Sequence, residues 1–362
     1  MDNERANMKA RVAAVFGGMV VAVLLVESLC RALAPQPPLA QQELLLNRGR
    51  LTKPGAHRNI QPEFSTLLTV NQHGFVDHEW DFDVSPDILL IGDSFVQGAQ
   101  VQMKESVGRR LMDNETTVWS MGIPGAGTTT ELLLLQQWIP KAKPNIVLLG
   151  LLPSNDILNN HPDLESKSDK PFVELTEYRK GTVVFEMPDI THETYPLAQY
   201  SHLLRWALRR LNLRSQTLQK MDRGGGTPID WQVYNPRVDS TWEEGWDITA
   251  LLIKEMQILC DNNDIRFGVV LFPSIEEIST EYQTKLRVQY PALSGWTFDL
   301  EQRTLDMLSQ AGIASLNVHS LYSTFQQHPL PNTLYYPKDH HWTPDGHALA
   351  SKSLKAWLQS RE

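Results

Sequence analysis

Short apolar runs recur along the chain, and between them apolar positions fall at helical spacing. The run at residues 88–91, Ile-Leu-Leu-Ile, is unbroken and followed by Gly92, the pattern of a strand buried on both faces of a parallel sheet. Residues 117–120, 145–151, 266–272 and 313–316 predict four more strands. Helical spacing occurs at 104–112, 132–138, 249–260 and 297–311, and Pro344 and Gly346 open a last helix. This βαβα rhythm predicts an α/β fold with a doubly wound, five-stranded parallel sheet. The alternation stops from about residue 157 to 245, which predicts an insertion after the third strand that shapes a substrate site. Within it, Leu197, Tyr200, Leu204, Ala207, Leu208 and Leu211 share one helical face, with Arg205 and Arg209 on the other. Such a stripe suits a packed helix, or a basic face for phospholipid headgroups or an anionic polysaccharide.

One stretch lacks polar positions altogether. Residues 12–26 carry no charge and follow Arg5, Lys9 and Arg11. As a helix they would extend about 22 Å at 1.5 Å per residue, short of a hydrocarbon core of about 30 Å. Continuing to Leu33 supplies the length and brings in Glu27 and Arg31, which are four residues apart and share a face where they can pair. A single transmembrane signal anchor over residues 1–34 is expected. The rival is a signal peptide cleaved at Ala32-Leu33-Ala34, against which Pro35 and the nearby charges weigh. Basic residues before the span place the bulk of the chain on the extracytoplasmic side of the inner membrane, while Arg48, Arg50 and Lys53 weigh the other way. Pro35, Pro37, Pro38 and Pro54 mark 35–60 as a spacer, leaving one domain over 61–358.

Composition then removes several classes of function. With 41% hydrophobic and 21% charged residues, the 362-residue chain can bury a sizeable core. A net charge of −9 without a basic stripe argues against nucleic acid as partner. The two cysteines, Cys30 and Cys260, lie too far apart in sequence and setting to form a disulfide framework, and Cys260 reads as an inert core residue. No Cys/His cluster has metal-ligand spacing, so no metal is expected.

Candidate chemistry gathers where strands end. Gly92-Asp93-Ser94 puts Ser94 at the carboxyl end of the first strand, where open α/β sheets collect their reactive groups. By itself the triplet is more often a turn or helix cap than a catalytic site. Val96 stands where the nucleophile elbow of α/β-hydrolases needs glycine. Acyl chemistry at a serine needs an imidazole to take its proton and a carboxylate to hold that imidazole. Both occur in residues 335–347, where Asp339 and His341 are the candidates. His340 would point away from His341 in an extended loop. Asp345 reads as a helix cap and His347 as a helix-surface residue.

Taken in order, Gly92-Asp93-Ser94, Gly122 after the second strand, Asn155-Asp156 after the third, and Asp339-x-His341-Trp342 resemble the SGNH, or GDSL-type, hydrolase superfamily over about residues 60–358. Ser154 stands where that family usually has glycine. The Asp-x-His-Trp spacing and the lead-in at 71–80 are similar to its membrane-anchored bacterial branch, related to alginate O-acetylation proteins. The resemblance implies a flavodoxin-like α/β/α sandwich and a serine ester hydrolase, an esterase or carbohydrate O-deacetylase. Ser94 would attack, His341 would act as base, and Asp339 would orient it. The N–H groups of Ser94 and Gly122 and the Asn155 side chain would hold the oxyanion. No metal or organic cofactor is implied, and the partner is an ester or acylated carbohydrate. Two alternatives stay open: an O-acyltransferase modifying an exported polysaccharide, supplied by a membrane acyltransferase partner, or a non-catalytic surface-binding protein on the same scaffold.

Overall fold

In the computed structural model, which describes residues 2–33, 42–44, 50–165, 170–187, 200–208, 210–211, 226–237 and 239–361, five strands form one parallel sheet. They are β1 (Ile88–Gly92), β2 (Val118–Gly122), β3 (Ile146–Leu151), β4 (Arg266–Leu271) and β5 (Val318–Ser320), in the spatial order 5-4-3-1-2. Every residue of β1, β2 and β3 is buried. The alternation of a strand divides them between two cores: Leu89, Ile91, Val147 and Leu149 face one, Ile88, Leu90, Ile146 and Leu148 the other.

Helices cover both faces, giving three layers. On one side lie α3 (Thr128–Ala142), α5 (Ser240–Asp261) and α6 (Glu301–Gln310), which contribute Trp138, Leu252 and Leu308 to the first core. On the other lie α2 (Val107–Leu111) and α7 (Pro344–Gln359), which contribute Val107, Leu111 and Leu354 to the second. The fold is the doubly wound α/β class expected, with the chain reversing direction across the sheet between β1 and β3. Register pairs Gly92 with both Gly122 and Gly150, so the carboxyl ends of β1, β2 and β3 lie level. That shared rim is where such sheets place ligands.

Several boundaries differ from expectation for local reasons. The fifth strand lies at 318–320 rather than 313–316, because Ser315–Asn317 makes a tight turn closed by Asn317 N–H donating to the Ala314 carbonyl at 2.8 Å. The helix expected at 104–112 breaks at Ser106, whose hydroxyl accepts from Arg109 N–H and starts α2 afresh. Helix α5 begins at Ser240, inside the stretch read as insertion, because Asp239 accepts from the N–H groups of Thr241 and Trp242 and caps it. The expected spacer contains structure: Leu51 is buried in the first core, and Gly55–Ile60 pairs antiparallel with Ser65–Val70 in a hairpin. Its sequence alternates only weakly, because both strands leave mostly exposed residues between the few that pack.

Among the described residues, 2–33, 200–208 and 210–211 form one compact unit and the others a second. The first contains the helix Asp2–Leu33, whose Ala10–Leu33 portion is long and apolar enough to cross a membrane or serve as a signal sequence. Near its end Glu27 and Arg31 pair at 2.7 Å. Glu27 also accepts from the Ser201 hydroxyl and from the N–H groups of His202 and Leu203 at 2.8–2.9 Å, which caps the helical residues 202–208. Of the expected stripe there, Leu204, Ala207 and Leu208 are half-buried, Tyr200 and Leu211 are exposed, and Leu197 lies outside the described residues.

Candidate active site

The site assembles on the sheet rim. After β1, Asp93 leaves the strand and its carboxylate accepts from Phe95 N–H at 2.8 Å, opening the short helix α1 (Ser94–Gln97) with Ser94 as its first residue. Gly98, with φ of +61°, ends that helix in the left-handed conformation glycine tolerates best. Ser94 is therefore fixed by a strand on one side and a capped turn on the other.

His341 arrives from the opposite end of the chain. It lies on a tight loop closed by Tyr336 N–H donating to the His341 carbonyl at 2.9 Å and His340 N–H donating to the Tyr336 carbonyl at 2.8 Å. With Nδ1–H donating to Asp339 Oδ1 at 2.7 Å, Nε2 accepts from the Ser94 hydroxyl at 2.7 Å. The next residue, Trp342, is fully buried and packs on Phe95, Phe272 and Phe325 with ring centroids 4.7–5.1 Å apart. The residues following Ser94 and His341 thus touch each other, so hydrophobic packing holds the two halves of the site together.

Asn155 comes from α4 (Pro153–Asn159), directly after β3. Its amide is oriented at both ends: Oδ1 accepts from Asn159 Nδ2 at 2.6 Å, and Nδ2 donates to Asp93 at 3.0 Å. Lys170, itself buried, donates to Asn159 and Glu165. Asp93 is completely buried, and desolvation pushes its pKa up; the bonds from Phe95 N–H and Asn155 and the nearby His341 pull the other way. Asn159 sits four residues after Asn155 on one helix face, a spacing visible in the sequence; Lys170 left no comparable signal.

Gly122, whose N–H is expected to serve an oxyanion, lies at the same rim. Gly122 closes β2 beside Gly92, and because Ile123 N–H donates to the Gly92 carbonyl, the Gly122 N–H takes no part in the β1–β2 ladder. Its missing side chain has a packing use, since a Cβ there would stand 2.0 Å from the Gln97 backbone nitrogen. The structure brings together Ser94, His341, Asp339 and, through Asp93, Asn155, and packs Gly122 against the helix that Ser94 begins.

The neighbouring histidines also resolve. His340 has φ of +70°, and its ring lies edge-on to Tyr282. His347, expected on a helix surface, is buried; its Nδ1 accepts from Val107 N–H at 3.2 Å, and burial pushes its pKa down to about 3. The cap of α7 is Thr343, whose hydroxyl accepts from Gly346 N–H, and not Asp345.

Beside His341 a cavity of about 150 Å³ is lined by Phe95, Asn155, Trp231, Tyr234, Ser274 and Glu276, among others. Trp231 and Tyr234 come from the stretch read as insertion, on the turn Ile229–Tyr234. Among the described residues, no cluster of three or more His, Cys, Asp or Glu is arranged to hold a metal ion, and both cysteines are free.

No family model matches this chain, and no curated protein matches it. Solved structures that resemble it include a GDSL-like lipase from Bacteroides thetaiotaomicron, at 11% identity and a TM-score of 0.37, covering 76% of this chain and 88% of that one. A lipase from a goat rumen metagenome is similar at 12% identity and a TM-score of 0.37, covering 75% and 96%. These likenesses are distant.

Proposed function

We propose that the chain is a serine-dependent ester hydrolase that works through an acyl-enzyme on Ser94. The observation that carries this reading is the unbroken relay from Ser94 Oγ through His341 to Asp339, with both links at 2.7 Å. His341 takes the serine proton as Oγ attacks the ester carbonyl, and Asp339 holds the ring in the tautomer that leaves Nε2 an acceptor. The proton then passes from His341 to the leaving alcohol. Water, activated by the same imidazole, releases the acid and regenerates Ser94.

As the carbonyl becomes tetrahedral, its oxygen needs donors. The Ser94 N–H heads α1 and is one candidate; the Asn155 amide, whose second Nδ2 hydrogen is not used by Asp93, is the other. The cavity's aromatic and hydroxyl lining suits the apolar body and polar edges of an acylated carbohydrate or small ester. The helix Ala10–Leu33, kept as an anchor, would hold this domain at the extracytoplasmic membrane surface.

The test is hydrolysis of p-nitrophenyl esters of increasing acyl length by the full-length, detergent-solubilised chain, with and without a polysaccharide acceptor. The reading predicts turnover that Ser94→Ala and His341→Ala reduce to background, with free acid as product. Acyl groups appearing on the acceptor would instead establish a transferase, and equal rates in wild type and both variants would exclude catalysis by this site.

A further inference from the structure

His341 and Asp339 sit on a loop, and a hydrogen-bonding residue from far upstream holds its tip. The hairpin Gly55–Ile60/Ser65–Val70 turns through Gln61 to Phe64, closed by Gln61 N–H donating to the Phe64 carbonyl at 2.9 Å. From that turn the Glu63 carboxylate accepts from Lys338 N–H through both oxygens, at 3.0 and 3.1 Å, and from Asp339 N–H at 2.8 Å. Next to it, the Phe64 ring lies 5.1 Å from that of Tyr336, where the loop begins.

The same hairpin also grips the nucleophile's side of the site. Asn59 Nδ2 and the Thr66 hydroxyl both donate to the Ala99 carbonyl, at 3.0 and 2.8 Å, just beyond the residue that ends α1. One hairpin thus spans from the end of the nucleophile helix to the tip of the acid–base loop. Hydrogen bonds to an ionised acceptor are stronger than neutral ones, and two adjacent backbone N–H groups aimed at one carboxylate define the loop tip in direction as well as distance.

We propose that Glu63 is a positioning residue for the hydrolase reaction: by binding the Lys338 and Asp339 N–H groups it sets the backbone from which the Asp339 carboxylate reaches His341. This rests on the serine-hydrolase reading above. Glu63 touches neither Ser94 nor His341 and acts through Asp339. Glutamine at 63 keeps the shape but loses the charge and one acceptor oxygen, so the tip is held by fewer and weaker bonds. A misplacement of an ångström in a catalytic array can cost on the order of a hundredfold in rate. Glu63→Gln should therefore lower kcat by about ten- to a hundredfold while leaving KM nearly unchanged.

The experiment is a double-mutant cycle in the full-length chain with Glu63→Gln, Asp339→Asn and the pair, read by kcat and KM on p-nitrophenyl acetate and by the rate at which a fluorophosphonate labels Ser94. Melting temperatures confirm that each variant is folded, and the near-isosteric glutamine keeps the test usable if Glu63→Ala is not. Acting through Asp339, Glu63→Gln should cost less than about twofold in the Asp339→Asn background, a non-additivity that general loosening of the fold would not produce. Kinetics of Glu63→Gln within twofold of wild type, or losses that multiply in the pair, would overturn the inference while leaving the hydrolase reading intact. A folded wild type inert to both the ester and the fluorophosphonate would overturn the hydrolase reading, and this inference with it.

Discussion

Ser94 and His341 meet at 2.7 Å, yet opposite kinds of structure hold them. Ser94 follows a five-residue strand buried on every residue and begins a helix capped by its own neighbour, so its position follows from backbone hydrogen bonds made within a few residues. His341 belongs to a loop whose backbone bonds close it on itself but do not join it to the sheet that carries Ser94. It is held by Asp339, by the burial of Trp342 and by contacts from residue 63, roughly as far away along the chain as this fold allows. Chemistry on a rigid junction tolerates changes around it; chemistry on a loop depends on the side chains that tie the loop down.

The largest effects should come from the two reacting groups themselves. Ser94→Ala and His341→Ala should each lower kcat by about 10⁶-fold, and the double variant should be no worse than either, because the two act as one unit. Comparing the three rates on one ester checks this. Losses that multiplied would mean the residues do not share a step, and the comparison would lose its meaning.

Trp342→Ala sharpens the contrast in stability. Removing a fully buried ring packed on Phe95, Phe272 and Phe325 should cost about 3–5 kcal/mol in denaturant unfolding. The damage should spread to activity, because the same ring roots the His341 loop. A smaller truncation on the first core, Leu252→Ala in α5, should destabilise the chain by about 2–5 kcal/mol while leaving kcat of the folded fraction near wild type.

Asn155→Ala probes the framework side. Losing the proposed oxyanion donor should cost about a hundred- to a thousandfold in kcat, equivalent to about 3–4 kcal/mol, with little change in KM. Asn159→Ala leaves the donor in place and frees the amide it orients, so its loss should be smaller; steady-state kinetics of both variants separates donor from support.

The smallest effect is a pH dependence under the loop. His347 is buried against Trp342 with a pKa pushed from 6.5 down to about 3, so between those values the unfolded chain binds a proton that the folded chain does not. Its contribution to stability is present above about pH 6.5 and is lost as pH falls toward 3. His347→Gln removes this titration. Its melting temperature should lie below wild type near pH 7 and approach or pass it as pH falls, and a gap constant across that range would contradict the assignment.

How much of this was legible in the sequence follows the same division. The first four strands, their order along the chain and the position of Ser94 were readable because unbroken apolar runs and the glycine after β1 are local signals. Asp339 and His341 were readable as a pair because the link between them closes within three residues. Residues acting across the fold were not. Glu63 lies in a polar turn like many others, and His347 has the spacing of an exposed helix start. The hairpin was missed for a related reason, since a two-stranded element with mostly exposed residues has almost no hydrophobic alternation to reveal it.

The central claim is that Ser94 is a nucleophile made reactive by His341. Intact-mass analysis after brief exposure to a fluorophosphonate, followed by peptide mapping, tests it without any assumption about the natural ester. The account predicts a single adduct on Ser94 in the wild type, formed at least a hundredfold more slowly in His341→Ala, a conservative fraction of the roughly 10⁶-fold expected for such a unit. An adduct on another residue, or labelling of Ser94 at the same rate without His341, would contradict it.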